Sequence, residues 1–419
     1  MHVMSLKEAV RVISTYSADT FGVCSALFEL GGMVVIHDPS GCNSTYTTHD
    51  EPRWYDTDSL IFISGLTEMD AIMGNDDKLV ADVVAAAKDA SPAFIVLLCT
   101  PVPLMMGTDF PALAKIIADE TGIPTYAGPT NSMETYDVGV SWALELLAKH
   151  FVPEKAPKTM CCSWQPTFAS CGSVGKLAAQ PTADISVNIL GLTPLDFSIN
   201  GSDQSIHDFL TGYGFDVIGS WAMGTNLAKI ARASAADVNL VVSYGGLVAA
   251  QELERRFGTP YVVGVPMGRS LQGGIAMDIR MAAAMKQNRY TCAKRIGPDR
   301  TDITIIGESV YSTSLAAALS HEYGYGVRVL CPLHSTDDIL TEWDSLVESE
   351  SDIAAAVQDS PIIIADLLYQ PICPDTARFI PLGHEGFSGR LYEKEIPNLI
   401  DNFDAFAARV RGDESHGHE

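Results

Sequence analysis

Short apolar runs alternate with segments of helical spacing along most of the chain. "GGMVVIHD" (31–38) is rich in β-branched residues, and "AFIVLLCT" (93–100) is apolar nearly throughout. Between them lies "DKLVADVVAAAKDA" (77–90), whose apolar residues recur at helical spacing. "FPALAKIIADETG" (110–122) is helical with a glycine stop, and "IPTYAG" (123–128) begins another strand. Unbroken apolar runs suit strands buried on both faces, and β-α-β-α order predicts parallel sheets covered by helices.

The rhythm pauses at "HFVPEKAPKTMCCSWQP" (150–166), where prolines, charge and lost periodicity read as a linker. It resumes with "ISVNILGL", "FDVIGS", "VNLVVSY" and "TPYVVGVPMG" as strands. "SDQSIHDFLTGYG", "NLAKIARASAA" and "LVAAQELERRFG" are the intervening helices. A third block runs from "DITIIGES" through "SLAAALSHEYGYG", "VRVLCPL" and "PIIIADLL" to "ARFIPLG". The expectation is an α/β chain of three Rossmann-like domains at 15–155, 160–295 and 298–400. A C-terminal helix and polar tail follow at 401–419. The length of 419 residues agrees, at about 100–200 residues per domain.

The formal charge of −25 argues against coating nucleic acid or an anionic membrane. No basic segment leads into a long apolar one at the start, and the most apolar stretch, "AFIVLLCTPVPLMM", is broken by prolines and too short to span a bilayer. A cytoplasmic protein is expected. In that compartment nine cysteines do not form a disulfide framework, so each is a buried small residue, a metal ligand or a reactive thiol.

Ligands of parallel sheets sit at the carboxyl ends of strands. Cys42 follows one such end and Cys99 closes another, while Cys24 is expected to open the apolar helix "CSALFELGG". Thiols at strand ends and helix starts face backbone N–H groups, which favour thiolate and metal binding. The spacing is no zinc ribbon, which needs a CxxC pair. His37 and His49 flank Cys42 and suit either loop hydrogen bonds or a Cys/His zinc site. Asp38 suits a turn before Pro39 or an oxygen ligand. Cys161, Cys162 and Cys171 read as structural, and Cys292, Cys331 and Cys373 receive no role. "SCGSVGKLAA" fails as a P-loop because Ser170 stands where the first glycine belongs and Leu177 where the hydroxyl belongs. No GxGxxG follows a strand, so a dinucleotide site is unsupported.

Three stretches together resemble the start of nitrogenase component 1 subunits: "CSALFELGGMVVIHDPSGCNSTY", "GLTEMDAIMGNDDKL" and "LLCTPVPLMMGTDF". Cys24, Cys42 and Cys99 match that family's three cysteines in order; Gly74, Lys78 and Leu79 match its middle segment, and Gly107 and Asp109 its last. The likeness extends through "GTNLAKIARASAADVNLVVS" and "FGTPYVVGVPMG" over residues 15 to about 395. It implies that the three cysteines hold half of an interfacial iron–sulfur cluster, of the 8Fe–7S P-cluster type or 4Fe–4S, shared with a partner subunit. Ser243 stands near the position where α-type chains carry a cofactor cysteine, and "VPMG" resembles the β-type segment.

The resemblance therefore implies a β-type (NifK-like) subunit of a nitrogenase-like reductase, in a heterotetramer with an α-type (NifD-like) subunit. A NifH-like ATP-dependent reductase would supply electrons, and the catalytic groups would lie in the partner. Methylthio-alkane reductase is the first expectation. A tetrapyrrole reductase subunit, of the protochlorophyllide or nickel-sirohydrochlorin type, and a non-catalytic cofactor-assembly scaffold are the alternatives. In some tetrapyrrole reductases an aspartate replaces a cluster cysteine, which keeps Asp38 a candidate. Outside the family, an α/β binding protein without metal would be colourless and air-stable.

Overall fold

The apolar runs become three parallel sheets in the computed structural model, which describes residues 17–39, 51–154, 185–295, 297, 300–389, 391–393 and 395–413. The first sheet contains β1 (Met33–His37), β2 (Leu60–Ile63), β3 (Ile95–Cys99) and β4 (Thr125–Gly128), in the order β2-β1-β3-β4. The second contains β5 (Ser186–Leu190), β6 (Asp216–Ser220), β7 (Val238–Val241), β8 (Tyr261–Val263) and β9 (Arg289–Tyr290), in the order β6-β5-β7-β8-β9. The third contains β10 (Ile303–Ile306), β11 (Val327–Cys331), β12 (Ser345–Leu346), β13 (Ile362–Ala365) and β14 (Arg378–Pro381), in the order β12-β11-β10-β13-β14.

In each sheet the first strand lies inside and the chain winds outward on both sides. Each sheet therefore has a topological switch point beside its first strand. The central strands β1, β3 and β10 are buried along their whole length, which is why they read as continuous apolar runs.

Six helices surround the first sheet: α1 (Asp19–Leu27), α2 (Glu68–Met73), α3 (Asp76–Ala90), α4 (Pro101–Met106), α5 (Phe110–Thr121) and α6 (Tyr136–His150). α1 and α6 approach so closely that only glycine fits at two facing positions. A Cβ on Gly22 would lie 2.0 Å from the Tyr136 carbonyl oxygen, and one on Gly139 1.8 Å from that of Asp19. α1 begins at Asp19, so Cys24 sits inside the helix; the expectation that it opens one is corrected. α6 ends at His150, within the expected linker, and residues 155–184 lie outside the described set. The C-terminal helix Phe403–Arg411 buries Phe403, Phe406, Ala407 and Val410. Among the described residues no helix is long and apolar enough to cross a membrane.

Arg53 ties the first sheet's helices to the second sheet. Its guanidinium, 6% exposed, bonds Glu51 Oε1 (2.7 Å) and Glu29 Oε1 (2.9 Å), and donates to the carbonyls of Ser25 (2.8 Å) and Ala222 (2.8 Å). Ala222 holds φ +90°, a conformation that L residues seldom adopt, in the loop after β6.

Candidate cluster edge and interdomain cavity

His37 and Cys99 end β1 and β3 in direct register, so both stand at the first sheet's switch point. The Thr100 hydroxyl donates to Asp38 Oδ1 (2.7 Å) and to the His37 carbonyl (2.9 Å), closing the two strand ends together. The Cys99 amide donates to Thr130 Oγ1 (3.0 Å), and that hydroxyl donates back to the Cys99 carbonyl (2.9 Å). The loop after β4 thus fixes the cysteine backbone.

Asp19, at the head of α1, acts electrostatically on Cys99. Its carboxylate accepts the amides of Thr20 (2.7 Å), Ser132 (2.8 Å) and Asn131 (2.8 Å). Burial nevertheless raises the Asp19 pKa, against those N–H bonds. Burial first, and then the Asp19 charge, push the Cys99 thiol up to about 11. The thiol is 6% exposed. The favoured thiolate expected from its position is therefore not found in the protein alone, because desolvation outweighs the neighbouring backbone dipoles.

Cys24 is fully buried in the core, and burial followed by the Glu51 charge raises its thiol well above the usual range. It lies five positions after Asp19, about 7.5 Å along the helix and on a different face. Cys42 and His49 lie outside the described residues. His37 Nδ1 pairs with Ser64 Oγ at 2.7 Å, and burial lowers its pKa, in keeping with a loop-holding histidine. The Asp38 carboxylate accepts the Thr100 hydroxyl, so it braces the neighbouring strand end. Among the described residues no three His, Cys, Asp or Glu side chains are grouped closely enough to hold a metal ion.

The donor chemistry at this edge fits part of an iron–sulfur site. Cys99 offers sulfur, Asp19 offers an oxygen whose charge acts on that thiol, and Cys42 follows the β1 end by five positions in the sequence. Cys24 is buried inside α1, on a different face from Asp19. Sequence reasoning missed Asp19 because it placed the helix start at Cys24; the signal was an acid after "YSA" at the head of an apolar helix.

The second and third sheets enclose another polar cluster. Ser243 follows β7, where it is fully buried and donates to the Gly191 carbonyl (2.7 Å). A cavity of about 20 Å³ is lined by Asp196, Glu308, Tyr311, Asp366, His384 and Phe387. Tyr136 donates to Asp196 Oδ1 at 2.6 Å. Burial raises the pKa of both Asp196 and Glu308 and pulls His384 down to about 3. His384 Nε2 is 3.7 Å from Asp196 Oδ1, too long for a hydrogen bond, and neither ring nitrogen has a partner among the described residues. Burial disfavours the charged form of both groups. His384, in "IPLGHEGF" after the last strand, was also missed, since a lone histidine in a loop carries little signal.

The chain is similar to the nitrogenase iron-molybdenum cofactor biosynthesis protein NifE of Clostridium pasteurianum, at 24% identity over 54% of this chain and 45% of that protein. It is similar to a subunit of the light-independent protochlorophyllide reductase of Nostoc punctiforme, at 37% identity over 22% of this chain and 19% of that one. The match thus spans less than half the length of these curated relatives. Its fold follows the solved structure "Nitrogenase Cp1 at pH 6.5" with a TM-score of 0.64 and 13% identity, over 100% of this chain and 97% of that one. "Nitrogenase Cp1 at pH 5" gives 0.62 and 13%, over 96% and 90%. The family model of nitrogenase component 1 type oxidoreductases matches residues 19–289, from the Asp19 helix start through the second sheet, and the chain belongs to that family.

Proposed function

We propose that this chain is a β-type subunit of a nitrogenase-like, ATP-dependent reductase complex, carrying its share of an interfacial iron–sulfur cluster at the first switch point. The observation that carries this reading is the Cys99–Asp19 edge, set beside a surface of uncovered apolar side chains. α4 begins two residues after Cys99 and exposes Leu104 and Met105, the latter 88% exposed. α2 buries none of its residues and exposes Met69, Ile72 and Met73. Tyr55 and Phe62 are exposed as well. Large apolar side chains gathered in this way mark a surface that a partner covers.

Cys42 and Cys99 are the proposed thiolate ligands. Of the two remaining candidates, Cys24 follows from the family resemblance and Asp19 from the geometry. A bound cluster would supply one-electron transfer between a docked reductase and the partner subunit. This chain's residues set its surroundings: Thr130 holds the Cys99 backbone, and Thr100 joins the two strand ends. Ser243 in place of a cofactor cysteine supports the β-type assignment. The local similarity to protochlorophyllide reductase subunits supports a tetrapyrrole substrate over methylthio-alkanes. The test is anaerobic purification with the partner, followed by iron and sulfide analysis. A complex without iron would end the proposal.

A second reading, an assembly scaffold, is favoured by two observations: the similarity to a cofactor biosynthesis protein and the unpaired His384 in its cavity. Release of a metal cofactor to an apo-acceptor, without ATP-dependent turnover, would select it.

A further inference from the structure

The space beside His384 lies at the carboxyl ends of β10 and β13, the switch point of the third sheet, with Glu308 and Asp366 at the two strand ends. The carboxyl groups on its wall are supplied with donors. Glu308 accepts the amides of Tyr311 (2.7 Å) and Tyr244 (2.9 Å). Asp366 accepts the amides of Leu368 and His384 and the Ser388 hydroxyl, each at 2.8 Å. Asp196 accepts the Tyr136 hydroxyl at 2.6 Å and the Thr193 hydroxyl at 3.0 Å. The His384 ring differs. Phe387 stacks on it, with 4.3 Å between centroids and 22° between planes, and neither buried ring nitrogen has a partner among the described residues.

A buried polar atom without a hydrogen bond destabilises the fold, so such an atom beside free space points to what fills that space. Burial pulls the His384 pKa down to about 3, so the ring is neutral near pH 7 and carries one N–H and one lone pair. Its Nε2 lies 3.7 Å from Asp196 Oδ1. That gap is too long for a direct bond, yet one molecule about 2.8 Å from each atom can bridge it. The free space is about 20 Å³. A single water needs about 10–15 Å³, so one fits and two do not. Organic ligands fill about 300–1,000 Å³ and are excluded by size. A metal ion would lack its ligands, because among the described residues no three His, Cys, Asp or Glu side chains group closely enough to hold one.

We infer that one water molecule is built into this space, hydrogen-bonded to His384 Nε2 and Asp196 Oδ1, as the link that completes a buried polar chain across the three sheets. The chain runs from Tyr136 at the head of α6, through Asp196 in the short helix after β5, to His384 after β14. A groove of about 550 Å³ shares Asn200 and Ile396 with the inner space. The Asn200 Nδ2–H donates to the Ile396 carbonyl at 2.9 Å on that common wall, and this bond is the door through which the water exchanges. The water has this place whether the chain relays electrons or serves as a scaffold.

The test uses the full chain. A high-resolution crystal structure is expected to show one spherical density peak about 2.6–3.2 Å from both His384 Nε2 and Asp196 Oδ1. An empty space there, or density that refines as an ion or a larger molecule, would overturn the proposal. In solution, relaxation dispersion of oxygen-17 water counts long-lived internal waters. His384→Phe, which replaces the acceptor nitrogen by carbon, is expected to lower that count by one. An unchanged count in the folded variant would overturn the site, and if the variant does not fold, the wild-type density decides. Asn200→Ala is expected to shorten the residence time of that one water by about fivefold, the worth of one hydrogen bond. Unchanged dispersion in Asn200→Ala removes the door.

Discussion

Replacing Arg53 by methionine tests how the first sheet is joined to the second. The side chain is buried and holds two carboxylates, Glu51 and Glu29, with bonds of 2.7 and 2.9 Å, and two carbonyls at 2.8 Å each. It also stacks over Phe28, 4.7 Å from the ring centroid. Methionine keeps much of the apolar volume but removes the charge. The Glu51 carboxylate, fully buried, then loses its cation, and breaking a buried pair in this way costs about 3–5 kcal/mol. The Ser25 and Ala222 carbonyls lose a donor each, which makes the upper half of that range the expectation. Urea titration followed by circular dichroism measures the total. Hydrogen exchange of residues 222–225 reports the strained loop locally. Arg53→Lys keeps the charge without the planar fork and should fall between. Arg53→Met combined with Glu51→Gln should recover part of the loss, because a buried negative charge is removed along with the cation that faced it. Arg53→Met within about 0.5 kcal/mol of wild type, with unchanged exchange at 222–225, would refute the clamp.

Four further outcomes are expected. Cys99→Ala should strip iron from the anaerobic complex, whereas the pair Cys24→Ala and Asp19→Ala identifies the remaining ligand: iron retained in the first and lost in the second selects the carboxylate. Gly22→Ala and Gly139→Ala should each cost at least about 1–3 kcal/mol from overpacking, read as a lowered urea midpoint, because each new Cβ would meet a backbone carbonyl at 2.0 Å or less. His384, pulled down to about 3, binds its proton in the unfolded chain below pH 6.5 but not in the folded one. Its contribution is full above pH 6.5 and is lost as pH falls toward 3, by about 1.4 kcal/mol per unit. His384→Gln should therefore gain on wild type as pH drops from 7 to 5, and parallel stability curves would contradict this. Asp196, raised by burial to about 8, stays protonated in the folded chain above its unfolded pKa, so its contribution is full below about pH 4 and is lost as pH rises toward 8; Asp196→Asn should flatten the decline over that range in thermal melts.

The sequence by itself determined the sheets and the order of their strands along the chain. β1, β3, β10 and β13 must lie between helices in a parallel sheet, and strands covered on both faces leave uninterrupted apolar runs such as "IVLLC" and "IIIA". It also placed Cys99 at a strand's carboxyl end. It did not show β2, a partly exposed strand of four residues, nor α6, whose apolar stripe is blurred because it packs on several sides. Only the tertiary structure decided which groups face one another. Periodicity is a local property, whereas Asp19 meets Ser132 across 113 positions and His334 meets Asp137 across 197. A helix start five residues earlier than expected brought a carboxylate, Asp19, into view beside the thiol Cys24 as a candidate, because a helix turns about 100° per residue and so aims each position at a different neighbour.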